Sequence, residues 1–199
     1  LTCSATGTDL NDGTLTAVYS WTNNTTLATL GSASTLALDS STSGPGDLIV
    51  CTVTYTDNNG VSVSDSGSAS ITNTDPVFDT AASITPSSGV VTGSSLTCDA
   101  VASDADDGTV ALTYSWMVGS VEVSTTSTYT VSASDTDVGD TITCTVTATD
   151  DDSATATSTA SVVVENTSPS VSGTTISGGT YNTDTLTCSA TGTDIDESV

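Results

Sequence analysis

The residues of this sequence that could do chemistry are its carboxylates, which gather in short clusters a few residues after cysteines. The two densest clusters are Asp104, Asp106 and Asp107 and then Asp150, Asp151 and Asp152. Clusters that offer only oxygen ligands suit Ca²⁺, which takes about 6–8 hard oxygen atoms. The alternative interpretation is a pair of solvated turns, where Asp, Asn and Gly are common in any case.

The charge of the chain excludes several classes of function. The 199 residues include 24 Asp and Glu but no Lys, Arg or His, so the formal charge is −24 and no side-chain ion pair can form. Without His there is no Ser–His or Cys–His nucleophile pair, and we expect no enzymatic activity. Nucleic acid and anionic membrane surfaces are not expected as partners, because both are bound through Lys and Arg. We also expect no membrane insertion, since no apolar run approaches the roughly 20 residues that a bilayer requires.

The chain is built from a long repeat. The nonapeptide LTCSATGTD at residues 1–9 recurs letter for letter at 186–194, and a diverged copy, LTCDAVASD, occupies 96–104. A repeat of this length indicates a string of similar small domains. It predicts a first repeat that lacks its first strand, a complete middle repeat and the N-terminal part of a third repeat, at residues 1–73, 74–167 and 168–199.

Short alternating segments predict an all-β fold. From Asp140 to Ala148, apolar residues alternate with Thr, which is typical of a half-buried antiparallel strand. Turn sequences such as NDG, GPGD, NNG and DDG separate segments of this kind. About seven short strands per repeat, with frequent turns, favour a β-sandwich.

Each of the first two repeats carries a single Trp between two cysteines. The two sets are Cys3, Trp21, Cys51 and Cys98, Trp116, Cys144. This order, with the sequence YSW around each Trp, resembles the immunoglobulin fold. It is also similar to the PKD-like and cadherin-like tandem repeats of giant bacterial or archaeal extracellular surface proteins. The resemblance implies tandem Ig-like β-sandwich domains with one disulfide in each complete domain.

The resemblance also assigns roles to the cysteines and tryptophans. It implies the disulfides Cys3–Cys51 and Cys98–Cys144, with Trp21 and Trp116 packed on them as core residues. Cys188 would then be a first cysteine whose partner lies outside the chain, the alternative being a free thiol. Persistent disulfides imply an extracellular or cell-surface location.

In an Ig-like domain, the loops that carry the two carboxylate clusters lie at one end, where the preceding linker also enters. The resemblance therefore implies that the clusters converge near Asn73, with the Ca²⁺ ligands being Asp75, Asp104, Asp106, Asp107, Asp150 and Asp152. The third repeat carries a matching cluster, Asp194, Asp196 and Glu197, and the resemblance brings Asp194 and Asp196 near Asn166.

Asn23 and Asn24 each begin an Asn-X-Thr sequence, the acceptor pattern for N-glycosylation. The pattern carries little information by itself, because a Thr-rich chain produces it by chance. It makes both residues candidate glycosylation sites.

These features predict a structural module of a long extracellular stalk, fibre or surface filament that Ca²⁺ stiffens or assembles. The expected partners are other copies of the chain or adjacent repeats, with glycans as a further candidate. A head-to-tail neighbour could supply residues 168–185 to the first repeat as a missing strand. The alternative is an adhesin or carbohydrate-binding module, which would use exposed aromatics such as Tyr55, Tyr129 or Tyr181.

Overall fold

The protein is an all-β chain, as the alternating segments predict. The structure, a computed structural model, describes residues 1–196, and within this range every regular element is a β-strand. Residues 1–196 therefore include no apolar helix long enough to cross a bilayer.

The chain divides into two compact units. Unit 1 consists of Leu1–Pro76 together with two short segments, Asp104–Thr109 and Asp150–Ala154. Unit 2 consists of the other described residues from Val77 onwards. Unit 1 therefore contains the linker around Asn73 and both of the carboxylate clusters that the sequence singles out.

The part of unit 1 before the linker has six strands. They are β1 Thr8–Asp9, β2 Gly13–Thr14, β3 Val18–Asn23, β4 Ala28–Gly31, β5 Leu48–Thr56 and β6 Ser62–Ser70. The strands β4-β3-β5-β6 form one antiparallel sheet, and β1 and β2 form a short hairpin.

The core of unit 1 lies on one face of β5. Ile49, Cys51, Val53 and Tyr55 alternate along this strand and are all buried, and Trp21 of β3 packs beside them. The Cys3–Cys51 disulfide, with an S–S distance of 2.04 Å, ties the start of the chain to this face. This period of two is what the alternating sequence dictates, because successive side chains of a strand point to opposite faces.

Residues 1–3 pair with residues 34–36. Cys3 N donates to Ser34 O at 2.9 Å, Leu36 N donates to Leu1 O at 2.9 Å, and Thr2 and Thr35 form a bridge. These contacts hold one edge of the first nonapeptide.

Ten further strands follow the linker. They are β7 Val77–Thr85, β8 Ser95–Asp104, β9 Gly108–Thr109, β10 Ala111–Val118, β11 Val121–Ser124, β12 Thr128–Thr130, β13 Thr141–Thr149, β14 Thr155–Val163, β15 Ser170–Ser177 and β16 Thr187–Thr193. Unit 2 contains a sheet of order β11-β10-β13-β14, a second of order β12-β8-β7 and a separate antiparallel pair, β15-β16.

The core of unit 2 lies where its two larger sheets meet. The Cys98–Cys144 disulfide joins β8 in one sheet to β13 in the other, with an S–S distance of 2.07 Å. Trp116 is completely buried in the same cluster, and its Nε1 donates to Thr126 O at 2.8 Å. The ring of Tyr129 lies 5.9 Å from that of Trp116, between centroids. Both tryptophans of the chain therefore serve as core residues.

Candidate metal centre at a linker

Asp104 organises the first acidic loop. One oxygen of its buried carboxylate, Oδ1, accepts hydrogen bonds from the backbone N–H groups of Asp106 at 2.7 Å and Asp107 at 3.1 Å. A side chain that binds the backbone two and three residues on is an Asx turn, the local structure that Asp favours. The sequence DADDG therefore folds into a tight turn that holds three carboxylates together.

The second acidic loop docks on the first. Asp151 N donates to Asp107 Oδ2 at 2.9 Å, which joins the two loops directly. Within the second loop, Ala154 N donates to Asp150 Oδ1 at 2.7 Å. The two clusters therefore converge, as the resemblance implies.

The linker joins this cluster through two consecutive residues. Asn73 Nδ2 donates to Asp150 Oδ2 at 2.9 Å. The N–H and the hydroxyl of Thr74 both donate to Asp106 Oδ2 at 2.8 Å. We refer to Asn73, Thr74 and the two loops, 104–109 and 150–154, as the linker cluster.

The linker cluster contains buried oxygens that have no hydrogen-bond partner. Asn73 Oδ1 and Asp104 Oδ2 are both buried and unpaired, and Asp104 as a whole is only 6% exposed. An unsatisfied buried polar atom costs free energy, and an ionised one costs more, so each requires an explanation. Ca²⁺ is a partner that either atom could accept, because an amide oxygen and a carboxylate oxygen are both ligands that it takes.

The electrostatics of the linker cluster are unfavourable in the absence of a cation. The pKa of Asp152 lies above its ordinary value because of partial desolvation first, and then because of the negative charges of Asp107, Asp150, Asp106 and Asp151. The cluster has no Lys, Arg or His to offset this repulsion, since the chain contains none. Hydrogen bonds from backbone N–H groups are its main compensation.

The cluster is not a ready-made coordination sphere. Across residues 1–196, no three Asp, Glu, His or Cys side chains are arranged so that they could hold a metal ion as they stand. A cation would thus rely on Asn73 Oδ1 and Asp104 Oδ2 and on water or a reoriented carboxylate for its remaining ligands.

The loop and linker contacts recur in the other repeats. Asp196 Oδ2 accepts from both the N–H and the hydroxyl of Thr167, as Asp106 does from Thr74. These contacts hold the pKa of Asp196 below its ordinary value, with the Thr167 hydroxyl as the largest cause. Asp196 Oδ1 is also buried and unpaired, but Asp196 aligns with Asp106, whereas the unpaired carboxylate oxygen of the middle repeat belongs to Asp104. The Thr–Asp contact is therefore the repeated feature.

The contact between the two loops of the first repeat carries less negative charge than the corresponding contact of the middle repeat. Asn58 donates to Asp12 through its backbone N at 3.0 Å and its Nδ2 at 2.8 Å. Asp151 occupies the equivalent place beside Asp107. The first repeat thus joins its loops through an amide and a carboxylate, whereas the middle repeat brings two carboxylates together.

The remaining predicted residues are placed as follows. Asp75 is exposed on the linker, next to the two residues that bind the loops. Asp196 contacts the residue after Asn166, Asp194 accepts the N–H of Asp196 at 3.0 Å, and Glu197 lies outside the described residues. Sequence reasoning missed Thr74 and Thr167, although the Asn-Thr dipeptide repeated in the two linkers could have indicated them.

The two candidate glycosylation sites differ in accessibility. Asn23 is completely buried, and its Nδ2 donates to Asp47 Oδ2 at 2.6 Å and to Thr42 O at 3.2 Å. Its Oδ1 accepts from the N–H groups of Thr25 and Thr26. Asn24 is exposed. Asn23 therefore holds a turn together in the folded chain, and Asn24 alone of the two is open to solvent.

Two of the three aromatic candidates for ligand contact, Tyr55 and Tyr129, are buried, whereas Tyr181 is 80% exposed. Cys188 is exposed and unpaired. The burial of Tyr55 and Tyr129 weighs against their use in a carbohydrate-binding face.

The sequence matches no family model, and no curated protein is significantly similar to it. The function is therefore inferred from the sequence and the structure of this chain.

Proposed function

We propose that the chain is a structural module of a long extracellular stalk, fibre or surface filament, built from tandem Ig-like domains. The disulfides, the buried Trp residues and the all-β architecture support this proposal. So does the repetition of the same loop and linker contacts at Thr74–Asp106 and Thr167–Asp196. A spacer needs repeated, stable units that do no chemistry, and the composition of the chain offers no catalytic constellation.

The second part of the proposal is that Ca²⁺ binds at the linker cluster. The pair of orphaned oxygens there is the observation that carries it. Asn73 Oδ1 and Asp104 Oδ2 would bind Ca²⁺, with Asp150 available as a third ligand. The bound ion would offset the mutual repulsion that raises the pKa of Asp152. It would also fasten the linker residues to both loops, and so stiffen the chain at each repeat.

The test is thermal unfolding of the oxidised chain in CaCl₂ against NaCl at matched ionic strength. Millimolar Ca²⁺ is expected to raise the unfolding temperature and to slow hydrogen exchange at Thr74 N, and Asp104→Asn is expected to abolish both effects. The matched control is Asp9→Asn, which alters the same Asx turn in the first repeat, where Asp9 Oδ1 accepts from Asn11 N at 2.7 Å.

Equal responses to the two salts would mean that these carboxylates are solvated turns and that the calcium part is wrong. The spacer part is tested separately, by gold-labelled antibody against the chain on intact cells. Labels spread along surface fibres are expected, whereas labels found only inside broken cells would refute an extracellular module.

A further inference from the structure

The sequence has three places where Asp or Asn is followed directly by glycine. They are Asp12–Gly13, Asn59–Gly60 and Asp107–Gly108. In all three, the glycine has a φ angle between 76° and 84°, the left-handed region that favours glycine. Glycine also leaves its own backbone nitrogen unhindered, because it has no side chain, so this nitrogen can attack the carbonyl carbon of the preceding side chain. The three sites share this backbone, and they differ in what the side chain before the glycine contacts.

The two Asp side chains are held by the opposite loop of their own repeat. Asp12 accepts hydrogen bonds from the backbone N and the Nδ2 of Asn58, at 3.0 and 2.8 Å. Asp107 Oδ2 accepts from Asp151 N at 2.9 Å. A carboxylate is also a poor electrophile, because its negative charge repels an attacking nitrogen. Neither Asp is therefore placed to react with its glycine.

The side chain of Asn59 is free, in contrast. Asn59 is exposed, and only its backbone N–H is held, by Asp57 Oδ1 at 2.9 Å. Within residues 1–196, its side-chain amide takes part in no hydrogen bond. A Cβ atom added to Gly60 would meet nothing within 4 Å, so there is open space beside the pair. The adjacent Asn58 is anchored to Asp12 and is followed by Asn59 rather than by glycine.

We propose that Asn59 is a site of spontaneous deamidation. The nitrogen of Gly60 attacks Cγ of Asn59, and the new N–Cγ bond closes a five-membered succinimide ring. The proton of the Gly60 nitrogen passes through water to Nδ2, which leaves as ammonia when its bond to Cγ breaks. Water then opens the ring, at Cγ to give aspartate or at the backbone carbonyl carbon to give isoaspartate. Water is the only co-reactant, so the reaction needs none of the catalytic side chains that the sequence lacks.

One hydrogen bond of the folded turn opposes the reaction. Gly60 N donates to Asp57 O at 3.1 Å, and this bond must open before the nitrogen can attack. The distance is longer than the usual value of about 2.9–3.0 Å for an N–H···O bond. It also belongs to an exposed loop, which can open locally without unfolding of the unit. We therefore expect the folded chain to react at Asn59, but more slowly than the unfolded chain.

The products change the charge and the length of the turn between β5 and β6. Asn59 aligns with Asp152, so its modification gives the first repeat a carboxylate where the middle repeat already has one. Isoaspartate also adds one atom to the backbone of a turn that Asp57 N closes by donating to Val61 O at 2.9 Å. An ageing chain thus gains negative charge and loses order at this turn. This inference goes beyond the proposed spacer and its calcium site, and it depends on neither.

The test is a time course of the oxidised 199-residue chain at mildly alkaline pH in water enriched in oxygen-18. Reduction, alkylation and chymotryptic digestion in ordinary water then allow each Asn to be assigned by mass spectrometry. Asn59 is expected to gain heavy oxygen before any other Asn, and electron-transfer fragmentation should detect isoaspartate at this position. Asn58 lies beside it in the sequence and serves as the internal control. A parallel sample in denaturant gives the rate in the unfolded chain.

Two glycine variants test the chemical route. Gly60→Ala hinders the attacking nitrogen and is expected to slow labelling of Asn59 severalfold, both in buffer and in denaturant, where folding has no influence. Gly67→Ala is the matched control, because a Cβ atom there also meets nothing within 4 Å, and it should leave the rate unchanged. An unchanged rate in Gly60→Ala would overturn the proposal. So would earlier labelling of another Asn in the folded chain, or an Asn59 that keeps its amide for as long as full conversion takes in denaturant.

Discussion

Gly7 lies against the face of the Tyr55 ring, so closely that a Cβ atom on Gly7 would be 2.5 Å from Tyr55 Cγ. The hydroxyl of Tyr55 donates to Ala5 O at 2.7 Å and fixes the ring in this position. In the middle repeat, the aligned residues are Ala102 and Ala148, both buried. The first repeat thus packs a large ring against a glycine, which has no side chain, whereas the middle repeat packs two alanines at the same positions.

Gly7→Ala is therefore expected to lower the free energy of unfolding of unit 1 by about 1–3 kcal/mol, the usual cost of overpacking. Gly192→Ala is the matched control, because it makes the same change within the same nonapeptide, where the nearest atom is 4.0 Å away. Denaturant unfolding of both variants measures the difference, and equal stabilities would contradict the proposed close contact.

Asn23→Ala is expected to destabilise unit 1, because it removes the acceptor of two backbone N–H groups and the donor to Asp47. The cost should be about 1–3 kcal/mol, as for other buried hydrogen-bonding groups left unpaired. Asn24→Ala changes the exposed neighbour and should have an effect within about 0.5 kcal/mol. In a host that attaches N-glycans, mass spectrometry should find any modification on Asn24 rather than on Asn23.

Two carboxylates are expected to affect stability with opposite dependence on pH. Hydrogen bonds from Gly44 N and then from Asn23 hold the pKa of Asp47 below its ordinary value. The stability that Asp47 contributes is therefore complete above about pH 4 and is lost as the pH falls through its lowered pKa. Asp47→Asn should destabilise the chain at pH 7, and the difference from wild type should shrink on acidification.

Asp152 should behave in the opposite way. Because its pKa is raised by desolvation and by the surrounding carboxylates, its ionisation opposes folding as the pH rises above the ordinary pKa of an Asp side chain. Asp152→Asn should thus raise the unfolding temperature at pH 7 in EDTA and have little effect below pH 4. Asp79→Asn, on an exposed strand position, is the control for the change in net charge. A stabilisation that is equal at both pH values would contradict the electrostatic explanation.

The two disulfides should differ in their rates of reduction. Cys98 and Cys144 are 1% and 0% exposed, whereas Cys3 is half-buried and lines an open cavity of about 380 Å³. A mild thiol reductant is therefore expected to open Cys3–Cys51 first, as peptide mapping after alkylation would reveal. Equal rates for the two bridges would contradict this difference in accessibility.

The sequence predicted the parts of this protein that depend on period and repetition. Alternation along residues 140–148 predicted the buried face of β13, and the repeated nonapeptide identified the equivalent strands β8 and β16. In the first repeat the same nonapeptide forms only a bridge at Thr2 and the two-residue strand β1. The convergence of the acidic loops came from the resemblance to a known fold. These features follow from chain geometry and repetition, so local patterns are sufficient to find them.

The contacts that depend on a particular side-chain partner could not be predicted in this way. The burial of Asn23 rests on Asp47, which lies 24 residues away, and the orphaned Oδ2 of Asp104 is a consequence of which atoms its neighbours leave unpaired. Such features require the positions of distant residues in three dimensions.

The identity of residues 1–9 and 186–194 has a consequence for oxidative folding. Cys3 and Cys188 have the same neighbours, so Cys51 cannot distinguish them by local sequence. The native loop spans 48 residues, whereas a Cys51–Cys188 bridge would close a loop of 188 − 51 = 137 residues. Loop-closure entropy favours the native isomer by about 0.9 kcal/mol, or roughly fivefold. In a newly made chain, the order of synthesis adds to this preference, because Cys51 can be oxidised with Cys3 before Cys188 has emerged.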